Sequence, residues 1–240
     1  VLLDECLAAL EPGRGGSFAD LTFGGGGHSR AILEANSENN LLAMDCDPDA
    51  RDRSESYVLE FDDRFNFCDS SFRDLDQFSS AGEFDGILMD LGISSFQLME
   101  PIKGFSFRLD APIDMRLDPR VGQSAAEFLE TASYESLVRA VREYGEEKRW
   151  RRVVEAIIQA RGTGLLSRTM SAAELVSNAV GGRNFRQRIH PATKTFQGIR
   201  IAINGELEAL AVTLPKAFRA LKEGGVLAVI SFHSLEDRIV

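Results

Sequence analysis

The chain has 240 residues, of which 44% are apolar and 27% are charged, and its formal net charge is −10 at neutral pH. These proportions are typical of a globular protein with a sizeable core. No apolar run approaches the roughly 20 residues that cross a bilayer, and no signal peptide opens the chain. We therefore expect a cytoplasmic protein without a membrane partner. The three cysteines have neither metal-type nor paired spacing, so we expect no metal site.

The charge is unevenly distributed along the chain. Residues 1–130 carry 10 basic and 26 acidic side chains, whereas residues 131–240 carry 17 basic and 11 acidic ones. The excess is greatest between Arg139 and Arg200, with 13 basic side chains against 5 acidic ones. A basic region on an acidic protein is typical of a surface that contacts phosphates. Solvated helix faces would produce the same pattern.

The first elements resemble the start of a cofactor-binding sheet. After an amphipathic helix over residues 2–10, we predict a strand over 18–21, a glycine turn, a helix over 29–35, and a strand over 41–45 that ends in Asp45. A doubly wound sheet binds nucleoside-containing cofactors with this arrangement, in which the acid accepts from ribose hydroxyls. A plain tight turn is the alternative. Ser29 replaces the third glycine of the dinucleotide pattern, which weakens the nicotinamide interpretation.

Two more strands follow. Residues 65–67 predict a weak third strand, and residues 85–90 predict a strong fourth strand, nearly all apolar, as a strand buried on both faces should be. Asp90 ends this fourth strand and precedes the segment Leu91-Gly92-Ile93-Ser94-Ser95. The carboxyl end of a strand beside the first one is where this fold presents reactive groups. A helix cap or turn is the alternative interpretation.

The alternation of strands and helices stops after Gly104 and resumes after His190. Capping boxes are predicted at Ser124 and Ser171, and residues 150–158 form an amphipathic helix flanked by basic side chains. We therefore predict a doubly wound sheet domain from residues 1–104 and 191–240. Residues 105–190 are predicted to form an inserted helical subdomain, whose basic side chains could contact the phosphates of RNA.

The C-terminal part predicts a helix from about residue 195 and a second helix with Pro215 in its first turn. A turn at Gly224-Gly225 and a fifth strand over 226–232 follow. Five strands without an antiparallel partner make an incomplete sheet, so we expect both ends of the chain to be missing, the C-terminal one more seriously. His233 and Ser234 could form a nucleophilic pair, but neither an elbow motif nor a third member accompanies them.

Several motifs together carry a family resemblance: DLTFGGGGHS, DGILMDLGISSFQL, KGFSF, PIDMRLD, YGEE, HPATKTFQGIRI and GGVLAVISFHSLEDRIV. Their order and spacing resemble the bacterial RsmH (MraW) family over essentially the whole chain. The resemblance implies a class I, Rossmann-like α/β fold. It also implies methylation of the exocyclic N4 amine of a cytidine in small-subunit (16S) ribosomal RNA, near the decoding centre, with S-adenosylmethionine. Four residues depart from the usual family pattern: Cys46, Met99, Lys103 and Gly198.

The same resemblance implies a set of cofactor contacts: Gly26, Gly27, His28, Asp45, Phe72, Asp90 and Gln97. Physical reasoning agrees for most of them. Backbone N–H groups at the start of a helix suit the methionine carboxylate, and Asp45 suits the ribose diol. Phe72 could pack on the adenine, although the sequence alone would place it in the core.

Asp90 is the predicted catalytic residue, because an acceptor beside the N4 amine would concentrate its lone pair on nitrogen. Related amino methyltransferases carry a Pro-Pro-aromatic motif here, which this chain lacks, so the aromatic that stacks on the base must come from elsewhere. Phe105 or Phe107 could supply it. The predicted RNA contacts in the basic region are Arg183, Arg186 and Arg188.

The expected partner is 16S ribosomal RNA or the small ribosomal subunit. The oligomeric state stays open, with a homodimer as one option. Two other functions also remain open from the sequence. A nicotinamide oxidoreductase would share the strand, turn, helix and acid, and a non-catalytic RNA-binding assembly factor would share the fold. Cofactor titration tests the first alternative, and transfer of a labelled methyl group tests the second.

Overall fold

The computed structural model describes residues 1–182 and 189–240 and divides into two compact units. The first unit is Val1–Ser94 with Leu207–Val240, and the second is Ser95–Glu206. The second unit is longer at both ends than the insertion predicted over residues 105–190. Its C-terminal extension arises because the helix Thr193–Asn204 packs against other elements of this unit.

The strands are β1 Ser17–Asp20, β2 Asn40–Asp45, β3 Phe65–Asp69, β4 Phe84–Asp90 and β5 Leu221–Ile230. The helices are α1 Leu3–Leu10, α2 Gly27–Ala35, α3 Pro48–Phe61, α4 Leu75–Phe78, α5 Ser95–Met99, α6 Ala125–Thr131, α7 Tyr134–Val138, α8 Trp150–Ala160, α9 Thr169–Ala179, α10 Thr193–Asn204, α11 Glu206–Ala220 and α12 Ser234–Ile239. Within the described residues, no helix is both long and apolar enough to traverse a bilayer.

The five strands of the first unit form one parallel sheet in the order β3-β2-β1-β4-β5. The chain order reverses between β1 and β4, which makes this pair of strands the switch point of a doubly wound sheet. Ligands of such sheets bind outside the carboxyl ends of the strands at that point. The predicted α/β fold class is confirmed.

Apolar side chains cover both faces of the sheet. Neighbouring residues of β1 illustrate this, because Phe18 packs in one buried cluster and Ala19 packs in another. The same alternation places Leu88 in the first cluster and both Ile87 and Met89 in the second. Successive strand residues point to opposite faces, so a strand covered on both faces must be apolar throughout. The interpretation of β4 as a doubly buried strand is confirmed.

Two predictions near the C-terminus are wrong. β5 begins at Leu221 and runs through Gly224, with a register shift against the start of β4, so the glycine pair does not form a turn between a helix and a strand. Pro215 lies inside α11 and not in a first turn. Leu210 and Ala217, on either side of the proline, pack in the second cluster of the sheet. This packing offsets the backbone hydrogen bond that proline forfeits.

The second unit consists mainly of helices. The predicted capping box at Ser124 is present, with Glu127 completing it. The one predicted at Ser171 is wrong, because α9 starts earlier, at Thr169, and the Ser171 hydroxyl donates to the Leu165 carbonyl at 2.7 Å. Serine hydroxyls can bond to preceding carbonyls in this way within a first turn.

Helix α10 packs closely on a π-helical segment, Arg139–Tyr144. Two glycines allow this close approach. A Cβ at Gly198 would lie 2.6 Å from the backbone nitrogen of Gly145, and a Cβ at Gly145 would lie 2.6 Å from the Lys194 carbonyl oxygen. Gly198 is one of the four departures from the usual family pattern, and its lack of a side chain permits this contact in this chain.

Candidate active site

Three aspartates end three neighbouring strands. Asp20, Asp45 and Asp90 are the last residues of β1, β2 and β4. Because these strands are parallel and adjacent, their carboxyl ends share one edge of the sheet. The glycine turn between β1 and α2 lies at the same edge. The predicted cofactor residues on β2, on β4 and in the glycine turn are therefore grouped around the switch point, whereas Phe72 follows β3.

The side chain of Asp45 anchors the glycine turn. One carboxylate oxygen accepts from the Gly24 N–H at 2.7 Å, and the other accepts from the Asp47 N–H at 2.9 Å. The Gly24 carbonyl in turn accepts from Nε of Arg53 at 2.9 Å. Burial raises the pKa of Asp45 to about 6, although the two backbone hydrogen bonds favour its ionised form. A half-buried carboxylate with remaining acceptor capacity suits a pair of hydroxyl donors.

Gly26 precedes the first residue of α2 and has a φ of 77°, a conformation that favours glycine. A Cβ at this position would lie 2.6 Å from Cζ of Tyr57 and 2.8 Å from Cζ of Phe23. At Gly27, by contrast, a Cβ would meet no atom of the described residues within 4 Å. The turn is therefore tightly packed below Gly26 and open above Gly27, where the first N–H groups of α2 lack intrahelical partners.

Behind the turn, Asp20 is 1% exposed and accepts hydrogen bonds from the Ser29 hydroxyl at 2.7 Å and the Thr22 N–H at 3.1 Å. Burial raises the pKa of Asp20. The Thr22 hydroxyl also accepts from the Asp90 N–H at 2.6 Å. The glycine pattern marks Ser29 only as a missing glycine and gives no signal for Thr22. The signal in the sequence is that serine replaces the third glycine of the pattern. A hydroxyl at this position can donate to the acid that ends β1.

The carboxylate of Asp90 is half-buried and differs from the other two. Its Oδ1 atom is buried and has no hydrogen-bond partner within residues 1–182 and 189–240. Its Oδ2 atom lies 3.8 Å from Nδ1 of His28, whose Nε2 lies 2.9 Å from the carbonyl oxygen of Val1. Burial raises the pKa of Asp90, and His28 opposes that shift. An unpartnered buried acceptor is costly in a folded protein, so Oδ1 is a candidate for contact with a ligand.

Comparison with known proteins identifies the family. A model of the MraW methylase family matches residues 1–240. The chain belongs to the MraW methylase family. It is 47% identical over 244 residues to ribosomal RNA small subunit methyltransferase H of Thermomicrobium roseum, with 100% of this chain and 74% of that protein covered. It is 48% identical over 245 residues to the protein of the same name from Nitrosococcus oceani, with 100% and 77% covered.

The predictions of an MraW-family methyltransferase and of S-adenosylmethionine as its methyl donor are confirmed. Membership of a methylase family gives no support to the nicotinamide oxidoreductase. Transfer of a labelled methyl group is the test for the non-catalytic assembly factor. Among the predicted site residues, Gly26, Gly27, His28, Asp45 and Asp90 are grouped at one sheet edge of the methylase. Their contacts with the cofactor remain predictions.

Phe72 begins a short 3₁₀ turn after β3 and packs, partly buried, against the second apolar cluster of the sheet. The Thr213 hydroxyl donates to its carbonyl at 3.3 Å. One side of the ring is therefore supported by the core of the methylase, while the remainder is accessible. This position is compatible with both interpretations of Phe72, as a core residue and as a surface for adenine.

The other predicted site residues belong to the second unit of the methylase. Gln97 is buried on α5. Phe105 is 8% exposed, which leaves little of its side chain open to a base. The ring of Phe107 lies 4.7 Å from that of His190 and 4.9 Å from that of Phe196, centroid to centroid. Arg183, Arg186 and Arg188 lie outside the described residues.

Proposed function

We propose that this methylase transfers a methyl group from S-adenosylmethionine to the N4 amine of a cytidine in small-subunit ribosomal RNA. The names of its relatives, at 47% and 48% identity, support ribosomal RNA of the small subunit as the substrate. The observation that supports the N4 amine as the methyl acceptor is the Oδ1 atom of Asp90 at the switch point of the sheet. This atom is buried and has no hydrogen-bond partner among the described residues. An exocyclic amine is a donor that would satisfy this acceptor.

The residues at the sheet edge fit the cofactor. Asp45 would accept from the ribose hydroxyls, and the open N–H groups after Gly26 would hold the methionine carboxylate. The absence of contacts within 4 Å of a Cβ at Gly27 leaves space for that approach. Phe72 would support the adenine. When bound, S-adenosylmethionine supplies a methyl group activated by the sulfonium.

Asp90 would orient the nucleophile. The N4 lone pair of cytosine is delocalised into the ring, and a hydrogen bond from N4–H to Oδ1 concentrates it on nitrogen. As the new N–C bond forms, the bond from the methyl group to sulfur would break with its electron pair left on sulfur, and Oδ1 would receive the proton that the amine must lose. Burial raises the pKa of this carboxyl, so its ionised form is a stronger acceptor than an exposed aspartate. The Thr22 hydroxyl, bonded to the Asp90 N–H, would hold the backbone in position.

An Asp90→Asn variant tests this role. The amide keeps an acceptor oxygen but loses the charge and the capacity to take the proton. We expect the rate of methyl transfer in a single turnover to fall by about 10²–10⁴-fold, the range for a general base. Cofactor affinity, measured by calorimetry, should change much less.

Asp85→Asn is the matched control, because Asp85 lies near the opposite end of β4 and bonds to the Ser17 N–H and Lys222. It should leave the transfer rate nearly unchanged. Equal losses of rate and cofactor affinity in Asp90→Asn would make Asp90 a cofactor residue only. The absence of N4-methylcytidine in RNA treated with the wild-type protein, read by nucleoside mass spectrometry, would refute the proposed reaction itself.

The second unit would hold the RNA. Five exposed basic side chains lie close to Trp150 in the sequence and form what we call the basic cluster: Arg142, Lys148, Arg149, Arg151 and Arg152. The guanidinium carbons of Arg151 and Arg142 lie 4.3 Å and 5.4 Å from the centre of the Trp150 ring. Such stacking fixes flexible cations in place. Fixed positive charges are suited to phosphate contacts, which the acidic first half of the chain would oppose.

A double variant, Arg151→Glu with Arg152→Glu, tests the basic cluster. Each lost phosphate contact should reduce the slope of log affinity against log salt by roughly 0.7–0.9. Filter binding of the small subunit or its RNA at several salt concentrations measures this slope. Arg14→Glu, which reverses an exposed charge in the first unit, is the control and should leave the slope unaltered. An unchanged slope in the double variant would show that the cluster is only a solvated face.

A further inference from the structure

The segment after β5 carries an aromatic side chain at the sheet edge where Asp90 lies. In the parallel pairing of β4 with β5, Asp90 is opposite Ile230, and the Leu91 N–H donates to the Ile230 carbonyl at 3.1 Å. Phe232 follows two residues later and is 55% exposed. A single exposed apolar side chain is ordinary on a protein surface. Phe232 differs from such side chains in its position at the sheet edge and in the way its backbone is held.

The backbone of Phe232 is fixed by a buried acid. Its N–H donates to Oε2 of Glu236 at 2.8 Å, and Glu236 is only 3% exposed. The ring nitrogen Nδ1 of His233 accepts from the Glu236 N–H at 3.4 Å and so caps α12. These reciprocal bonds resemble a capping box. The structure therefore holds an exposed ring on a well-anchored backbone, which is the arrangement that a preformed binding site requires.

Gly92, on the segment after β4, lies beside this ring. It has a φ of 90°, and a Cβ added there would lie 3.6 Å from Cδ2 of Phe232. A side chain at Gly92 would therefore extend over the ring or beside it. With glycine at this position, a flat ligand can approach Phe232 from the direction of Asp90.

We propose that Phe232 is the aromatic residue that stacks on the cytosine ring of the target nucleotide. The proposal rests on the proposed function and extends it. Enzymes that modify a base in structured nucleic acid hold it by stacking on its face and hydrogen-bonding to its edge. Phe232 would contact the face while Asp90 accepts from the N4 amine, so that two contacts together orient the ring. This assignment replaces Phe105, whose ring is buried, as the candidate for stacking.

Substitutions of Phe232 that retain or remove the aromatic ring test the proposal. Base stacking on an aromatic side chain contributes about 1–3 kcal/mol, which converts to roughly 5- to 150-fold. We expect kcat/KM for RNA methylation to fall by this factor in Phe232→Ala and in Phe232→Leu. Phe232→Tyr should stay within a few-fold of wild type. The dissociation constant for S-adenosylmethionine should stay the same in all three.

Phe218→Ala is the matched control. Phe218 is 76% exposed, and it lies near the end of α11, just before β5, so it belongs to the opposite edge of the sheet. Its loss should leave kcat/KM unchanged. A small-subunit RNA with the fluorescent base pyrrolocytosine at the target position gives a second readout. Its emission should be quenched by wild type and Phe232→Tyr and should recover with Phe232→Leu.

If leucine supports wild-type kcat/KM and quenching, Phe232 provides only apolar packing and the proposal is refuted. If thermal unfolding shows that Phe232→Ala does not fold, the comparison of Phe232→Leu with Phe232→Tyr still tests the proposal. The failure of the proposed function is recognised separately, because wild-type protein would then produce no N4-methylcytidine. If the wild-type protein forms N4-methylcytidine and no substitution of Phe232 changes kcat/KM, the stacking role is refuted and the proposed function is not.

Discussion

Protonation of Asp45 should control cofactor affinity near pH 6. Burial raises the pKa of this carboxyl to about 6 in the free protein. A ribose diol donates to the ionised form, whereas a protonated carboxyl loses part of its acceptor capacity. With a pKa of about 6, roughly nine-tenths of the protein carries an ionised Asp45 at about pH 7 and roughly one-tenth at about pH 5. Affinity for S-adenosylmethionine should therefore weaken about tenfold over this interval, or by about 1.4 kcal/mol.

The effect of pH on cofactor affinity can be distinguished from an effect of pH on folding stability. Because folding raises the pKa of Asp45 from 3.8 to about 6, its ionisation destabilises the folded state by up to about 3 kcal/mol at neutral pH. The contribution of this group to stability thus increases as the pH falls from about 6 towards 3.8. Weaker binding at about pH 5 would not arise from unfolding caused by Asp45.

Calorimetric titrations with S-adenosylmethionine at several pH values measure the effect. Asp45→Asn should bind with an affinity that no longer depends on pH in this interval, whereas Asp90→Asn should keep most of the dependence. Asp45→Ala should weaken binding by about 1.5–3 kcal/mol at neutral pH, the range for hydrogen bonds to charged groups. A wild-type affinity that is flat between about pH 5 and about pH 7, or a dependence that survives in Asp45→Asn, would refute the reasoning.

Further expectations concern stability. Gly26→Ala should destabilise the protein by roughly 1–3 kcal/mol, because the residue has a positive φ and a Cβ would press on the aromatic rings beneath the turn; Gly27→Ala, with open space around its Cβ, should show a nearly unchanged thermal midpoint. Ser29→Ala should cost about 1–3 kcal/mol, since the buried Asp20 loses a donor. Ser56→Ala removes an exposed hydroxyl on α3 and should lower the free energy of unfolding in urea far less. Equal losses in the two variants would contradict the importance of the buried network.

Local patterns in the sequence determined much of the sheet. The run of apolar residues before Asp90 predicts a strand buried on both faces. The acids that end β1, β2 and β4 lie at one edge because adjacent parallel strands present their carboxyl ends together. The capping box at Ser124 is also a local feature, formed within one turn of helix. Such features depend on neighbours in the sequence, so the pattern alone is sufficient.

Other features depend on partners far along the chain, and only the tertiary structure decided them. Pro215 continues a helix because its neighbours pack against the sheet. The raised pKa of Asp45 results from burial beneath a turn 21 residues away. Phe232 stands beside Gly92 only because β5 pairs with β4, and no local pattern marks that contact. Sequence periodicity reports which side chains are buried, whereas the identity of their neighbours is set by how the strands are ordered.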